Sequence, residues 1–121
     1  MKKLFIAIAL LLVSAGGALA EANIAGIYWV TGTNPGSGSP YKGVATILKS
    51  GDNYRMHWEV GTSYDGVGQF DGKTLKVAWG TATANVGTVT YTLQADGSLQ
   101  GTWFTANNPK SLGTETLRPK K

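Results

Sequence analysis

Tyr54-Arg55-Met56-His57-Trp58-Glu59-Val60 is the stretch that decides the fold. Apolar Tyr54, Met56, Trp58 and Val60 alternate with polar Arg55, His57 and Glu59. A period of two puts each set on its own side of an extended chain, so the segment reads as a β-strand with one buried face. The alternation recurs downstream. Leu75, Val77 and Trp79 interleave with Thr74, Lys76 and Ala78, and Val89, Tyr91 and Leu93 with Thr88, Thr90 and Thr92. No window after Ala20 shows the 3.6-residue apolar period of a helix.

Turn signals separate these runs. Asp71-Gly72 and Asp96-Gly97 suit two-residue hairpin turns, in which glycine takes positive φ. Ser50-Gly51-Asp52-Asn53 reads the same way. Strands are predicted near 25–31, 41–49, 54–60, 65–70, 73–79, 87–93, 98–104 and 113–118. This spacing predicts an all-β domain, a single small eight-stranded antiparallel meander barrel of calycin-like outline. Closure removes the exposed edges that a small open sheet leaves.

In an up-and-down meander alternate connections fall at opposite ends. The second, fourth and sixth are the tight turns just named. The first (Gly32 to Pro40), third (Gly61 to Tyr64), fifth (Gly80 to Val86) and seventh (Ala106 to Leu112) are mostly longer and rich in Thr, Asn, Ser, Gly and Pro. They are expected to share one rim, and loops on a rigid scaffold are where binding surface usually sits. Thr33-Asn34-Pro35 and Asn107-Asn108-Pro109 echo each other in the first and last of them, and closure would set these two loops side by side. Asn before Pro is also an ordinary way to start a turn.

The two ends of the chain account for its basic charge. Lys2 and Lys3, the apolar run Leu4 to Val13, and the small residues leading to Ala18-Leu19-Ala20 have the order of a signal peptide. Residues 1–20 are read as that signal, 21–117 as the barrel domain and 118–121 as a basic C-terminal tail. Loss of Lys2 and Lys3 lowers the net charge from +4 to +2. Arg118, Lys120 and Lys121 lie in the last four residues, and the remaining body is close to neutral. A basic groove for nucleic acid is therefore not expected. There is no cysteine, which excludes a disulfide, a thiolate metal site, a cysteine nucleophile and a bacterial lipid anchor. No apolar stretch after Ala20 approaches the roughly 20 residues of a membrane-spanning helix. The expected location is periplasmic or secreted.

Catalytic candidates are few. His57, the one histidine, alternates with Arg55 and Glu59 on the outward face of a strand, whereas a general base needs a cleft. No Gly-x-Ser-x-Gly elbow is present. One histidine and scattered carboxylates make no metal cluster, and Asp65, Asp71 and Asp96 read mostly as turn residues. Glu59 and Glu115 are the pair to weigh as a glycosidase dyad. Glu59 should point outward beside inward Trp58. Glu115 shares parity with Gly113 and Leu117 and should point inward, where a buried carboxylate needs a partner such as Arg55 or a tyrosine hydroxyl.

Trp29, Trp58, Trp79 and Trp103 fall on the first, third, fifth and seventh predicted strands. Four tryptophans, with Gly66, Gly68 and Gly101 as small partners, are expected to fill a narrow barrel. The alternative is an aromatic-lined ligand pocket. A small outer-membrane barrel has the same pattern of short turns and long loops. It would need Arg55, His57 and Glu59 inside, the tryptophans facing lipid, and longer strands than those predicted. The soluble reading is preferred.

The order of motifs resembles a family of small exported bacterial β proteins commonly labelled fibronectin-binding protein. The matching residues are Gly26-x-Tyr28-x-Val30-x-Gly32-x-Asn34-Pro35, Tyr41-x-Gly43, Gly51-Asp52-x-Tyr54 with Trp58, Gly66-x-Gly68, Leu75-x-Val77-x-Trp79, Asp96-Gly97-x-Leu99-x-Gly101-x-Trp103 and Leu112-Gly113-x-Glu115-x-Leu117. The resemblance implies an extracytoplasmic binding protein and supplies no catalytic residues. At fold level the chain also looks like an avidin- or lipocalin-style barrel, without disulfides.

The expected function is therefore non-enzymatic binding of a protein or envelope macromolecule, fibronectin among the candidates, through the long-loop rim. No cofactor and no metal are expected. The contact residues expected are Asn34, Pro35, Tyr41, Tyr64, Asn85, Asn107, Asn108 and Lys110, since tyrosine and asparagine suit loop-built binding surfaces. The alternative is a carrier of a small apolar ligand in an aromatic-lined cavity.

Overall fold

Eight strands follow one another: β1 (Gly26–Thr33), β2 (Pro40–Ser50), β3 (Asn53–Glu59), β4 (Ser63–Phe70), β5 (Thr74–Gly80), β6 (Val86–Leu93), β7 (Leu99–Thr105) and β8 (Gly113–Pro119). In the computed structural model, which describes residues 23–80 and 85–121, each strand pairs antiparallel with its sequence neighbours. β1 also pairs with β8, closing the barrel. Every predicted strand is present to within two residues. The expected signal peptide at 1–20 and positions 81–84 of the fifth connection lie outside the described residues. No helix among the described residues is long and apolar enough to cross a membrane.

Register follows from the period-two pattern, because a one-residue slip would turn every apolar side chain outward. On β3, Tyr54, Met56 and Trp58 are buried while Arg55 and Glu59 are exposed. On this strand the charged side chains thus face outward and the apolar ones inward.

The tight connections share one end. Gly51, Gly72 and Gly97 take positive φ, and Asp71 and Asp96 brace the turns through their side chains. Asp71 Oδ1 accepts from the backbone N–H of Lys73 and Thr74. Asp96 Oδ1 accepts from the N–H and hydroxyl of Ser98. These bonds hold both carboxyls below the usual carboxylate range. The sixth connection is not the two-residue turn expected. It spans residues 94–98 and is closed by the Gln94 N–H on the Ser98 carbonyl at 2.8 Å. Asp96 keeps negative φ, since no non-glycine residue described has a positive one, and a two-residue turn with glycine at its second central position needs positive φ at the first as well.

Ile24, Leu75, Leu99 and Leu117 are buried to 2% exposure or less, and the strand register places the last three at the short-turn end. Tyr54 and Phe70 meet edge to face there, ring centroids 6.0 Å apart. The Tyr28 hydroxyl donates to the Ile24 carbonyl at 2.7 Å, tying the segment before β1 to the core. Full burial of each large apolar side chain contributes about 1.5–3 kcal/mol, so this end is the stable base of the barrel.

Three expectations are corrected. Trp29 does not fill the interior. Tyr28 and Val30 occupy the inward positions of β1, so Trp29 points out, 51% exposed, with the Lys120 ammonium 4.7 Å from its ring centroid. Asp65 is not a turn residue but lies within β4, opposite His57. The last four residues are not simply a tail. β8 continues through Pro119, and the Lys120 N–H donates to the Ile27 carbonyl at 2.9 Å.

Candidate functional site

At the long-loop end the inward positions carry several large rings beside the aliphatic Val60 and Val89. The alternation that buries Trp58 on β3 and Val77 on β5 sets Tyr41, Tyr64, Trp79 and Trp103 facing inward near the mouth. They form an edge-to-face chain. Tyr64 meets Trp79 at 5.4 Å, Trp79 meets Trp103 at 5.8 Å, and Trp103 meets Tyr41 at 6.2 Å between centroids. Glycines on neighbouring strands make room for them. A Cβ on Gly32 would lie 2.4 Å from the Tyr41 ring, one on Gly87 2.4 Å from the Trp79 ring, and one on Gly113 2.7 Å from Trp103 Nε1.

The rings do not fill the space. A cavity of about 260 Å³ opens at this end, lined by Asn34, Tyr41, Trp58, Val60, Thr62, Tyr64, Trp79, Val89, Trp103 and Glu115. It is a little below the roughly 300–1,000 Å³ typical of small-molecule pockets. The expectation of a filled barrel thus holds for the short-turn end and fails at the mouth. The physical reason is that large rings pinned over glycines stand against the walls and leave the axis open.

Glu115 is the charged group on this inner wall, 6% exposed. Three strands supply its partners. From β2 the Tyr41 hydroxyl donates to Oε1 at 2.7 Å. From β3 the Trp58 indole N–H donates to Oε2 at 2.9 Å, and from β6 the Tyr91 hydroxyl donates to the same oxygen. The tyrosine partner expected for Glu115 is present, whereas Arg55 is exposed on the outer face. Burial pushes the Glu115 carboxyl above its ordinary range, while the bonds from Tyr91, Tyr41 and Trp58 act in the other direction. Burial and the nearby Glu115 push both Tyr41 and Tyr91 up, so both remain neutral donors. Trp103 Nε1 is buried without a partner among the described residues.

The expected contact residues fall into two groups. Asn34, Tyr41 and Tyr64 line the cavity. Tyr41 and Tyr64 are strand residues, on β2 and β4, and pack against the core. Replacing them therefore affects packing as well as any contact. Asn85, Asn107, Asn108 and Lys110 are exposed and Pro35 half-buried on the loops around the mouth. The asparagines also serve the loops themselves. Asn34 Nδ2 donates to the carbonyl and hydroxyl of Ser39, and Asn107 Oδ1 accepts from the Thr105 hydroxyl. The first and last loops lie side by side, since β1 and β8 pair Thr33 with Thr114.

Sequence reasoning anticipated inward Glu115 but not its role as the shared acceptor of Tyr41, Trp58 and Tyr91. Parity places each side chain inside. Which of them meet depends on barrel stagger, which no local pattern carries. His57 and Glu59 lie outside, as expected. His57 Nδ1 is 2.7 Å from Asp65 Oδ1, and its Nε2 is 2.7 Å from Glu59 Oε2. Glu59 Oε1 accepts from the Ser63 hydroxyl. Glu59 and Glu115 thus face opposite sides of the barrel wall and form no dyad.

No family profile matches the chain, and no curated protein matches it. Among solved structures it is similar to one described as a redesigned β-barrel, with a TM-score of 0.67 and 16% sequence identity. The match covers 81% of this chain and 92% of that one. At that identity the likeness is one of fold, and the fold is an eight-stranded closed antiparallel β-barrel.

Proposed function

We propose that this protein is a non-catalytic binder of a small molecule, held in the aromatic mouth of the barrel. One observation carries the reading: the cavity of about 260 Å³ whose walls combine a chain of aromatic rings with a single buried carboxylate. Concave, mostly apolar sites with a few placed polar groups are the usual form of ligand pockets. The engagement of Glu115 by three donors from three strands supports a fixed, orienting role for the carboxylate in binding. The apparent signal peptide supports an extracytoplasmic location for this binding.

Native mass spectrometry of the protein purified from its source tests the reading. A retained small-molecule mass is expected, and it should be absent from a Val60→Trp variant in which an indole fills the cavity. Protein that carries no adduct, or the same adduct in both forms, would overturn it.

A second reading has support from the exposed Asn85, Asn107, Asn108 and Lys110 around the same mouth. In it the rim loops contact a macromolecule, as the resemblance to fibronectin-binding proteins implies. Binding to immobilised fibronectin that survives high salt and is lost on replacing Asn107, Asn108 and Lys110 would favour it. Binding that disappears with salt would reduce it to charge attraction.

A further inference from the structure

Resting on the small-ligand reading above, we infer that the ligand is a small organic cation, a tertiary or quaternary ammonium seated among Tyr41, Tyr64, Trp79 and Trp103 beside Glu115. Three features point to it. The first is the ring chain itself. Aromatic faces carry negative potential and attract cations, most strongly where water is displaced.

The second is charge. Glu115 lines the cavity, and none of the described lining residues is a lysine or arginine. Its three hydrogen-bond donors are all neutral. A buried carboxylate without a counter-charge is costly, and a bound cation supplies that charge.

The third is the count of acceptor sites. A carboxylate offers about four lone-pair sites. Oε2 takes Trp58 and Tyr91, and Oε1 takes Tyr41. One site remains. A primary ammonium would bring three N–H donors, two of which would have to turn from the carboxylate to the oxygens of Asn34, Thr62 or Tyr64 elsewhere on the lining. A tertiary ammonium brings one, and a quaternary ammonium none.

The proton competes with such a ligand. Burial raises the Glu115 carboxyl, and a neighbouring cation draws it back down. The titratable groups facing it are Tyr41 from β2 and Tyr91 from β6, with Tyr64 across the mouth. Binding should weaken as acid protonates Glu115.

The test is calorimetric titration of the intact protein with choline and with its uncharged carbon isostere, dimethylbutanol. Choline is expected to bind at least about tenfold more tightly at neutral pH, and Glu115→Gln should abolish the preference. The comparison on the unaltered protein stands even if that variant fails to fold. Equal binding, or preference for the alcohol, overturns the cation inference. If that binding is lost in Val60→Trp, the small-ligand reading survives. Absence of binding by both overturns the cation inference too. If the native mass spectrum is also empty, the small-ligand reading falls with it.

Discussion

A carboxylate on the inner wall of a small barrel persists only where several strands bring donors to it, and Glu115 has donors from β2, β3 and β6. Its proton balance makes a stability prediction. The folded protein holds the Glu115 proton more tightly than the unfolded chain, whose glutamates titrate near the ordinary 4.5. Protonation of Glu115 therefore contributes stability that is fully present below that value. The contribution is lost as pH rises through the raised folded value. Urea midpoints measured across this window should fall with pH more steeply for the native sequence than for Glu115→Gln. Parallel curves would show that Glu115 does not titrate there.

At the scale of elements, the β3–β4 hairpin carries its own charge cluster on the outer face. His57 sits between Asp65 and Glu59, with both ring nitrogens at hydrogen-bond distance from carboxylates. That arrangement suits the doubly protonated ring. Bonds to Asp65 first, then Glu59, raise its pKa above the ordinary 6.5. As the sole histidine, it gives one imidazole titration by proton NMR. The midpoint should lie above 6.5 in the native sequence and move down in Asp65→Asn. An unmoved midpoint would mean that the Asp65 contact does not persist in solution. The hairpin itself was legible: alternation from Tyr54 to Val60 placed His57 and Glu59 outside. Asp65 read as a turn residue because aspartate is common in turns. Its place in β4, across from His57, comes from pairing.

For the whole molecule, closure rests on the seam between β1 and β8. Trp29 opposite Arg118 and Tyr28 opposite Pro119 are the last pairs of that seam, and the Lys120 backbone adds a further bond. Deleting residues 118–121 removes these pairs and the Lys120–Trp29 contact. A loss of about 2 kcal/mol in unfolding free energy is expected. Chemical denaturation of the truncated chain checks this, and an unchanged midpoint would show that the seam ends at Leu117. Any binding assay that uses such a truncation to remove the basic end also perturbs the barrel.

Alternation in the runs around Trp58, Val77 and Tyr91, with glycine-bearing turns spaced along the chain, was enough by itself to determine the number of strands and the inward faces of β3, β5 and β6. It also determined the placing of the longer loops at one rim, because side-chain direction in a strand has a strict period of two. The sequence likewise made Glu115 an inward residue. Tertiary structure alone decided that the rings near the mouth stand over glycines and leave a cavity, that Trp29 is turned outward, and that Tyr41, Trp58 and Tyr91 converge on one carboxylate. Those outcomes depend on the stagger and curvature of a closed sheet. That geometry sets contacts between residues as far apart as Tyr41 and Glu115, and no local pattern encodes it.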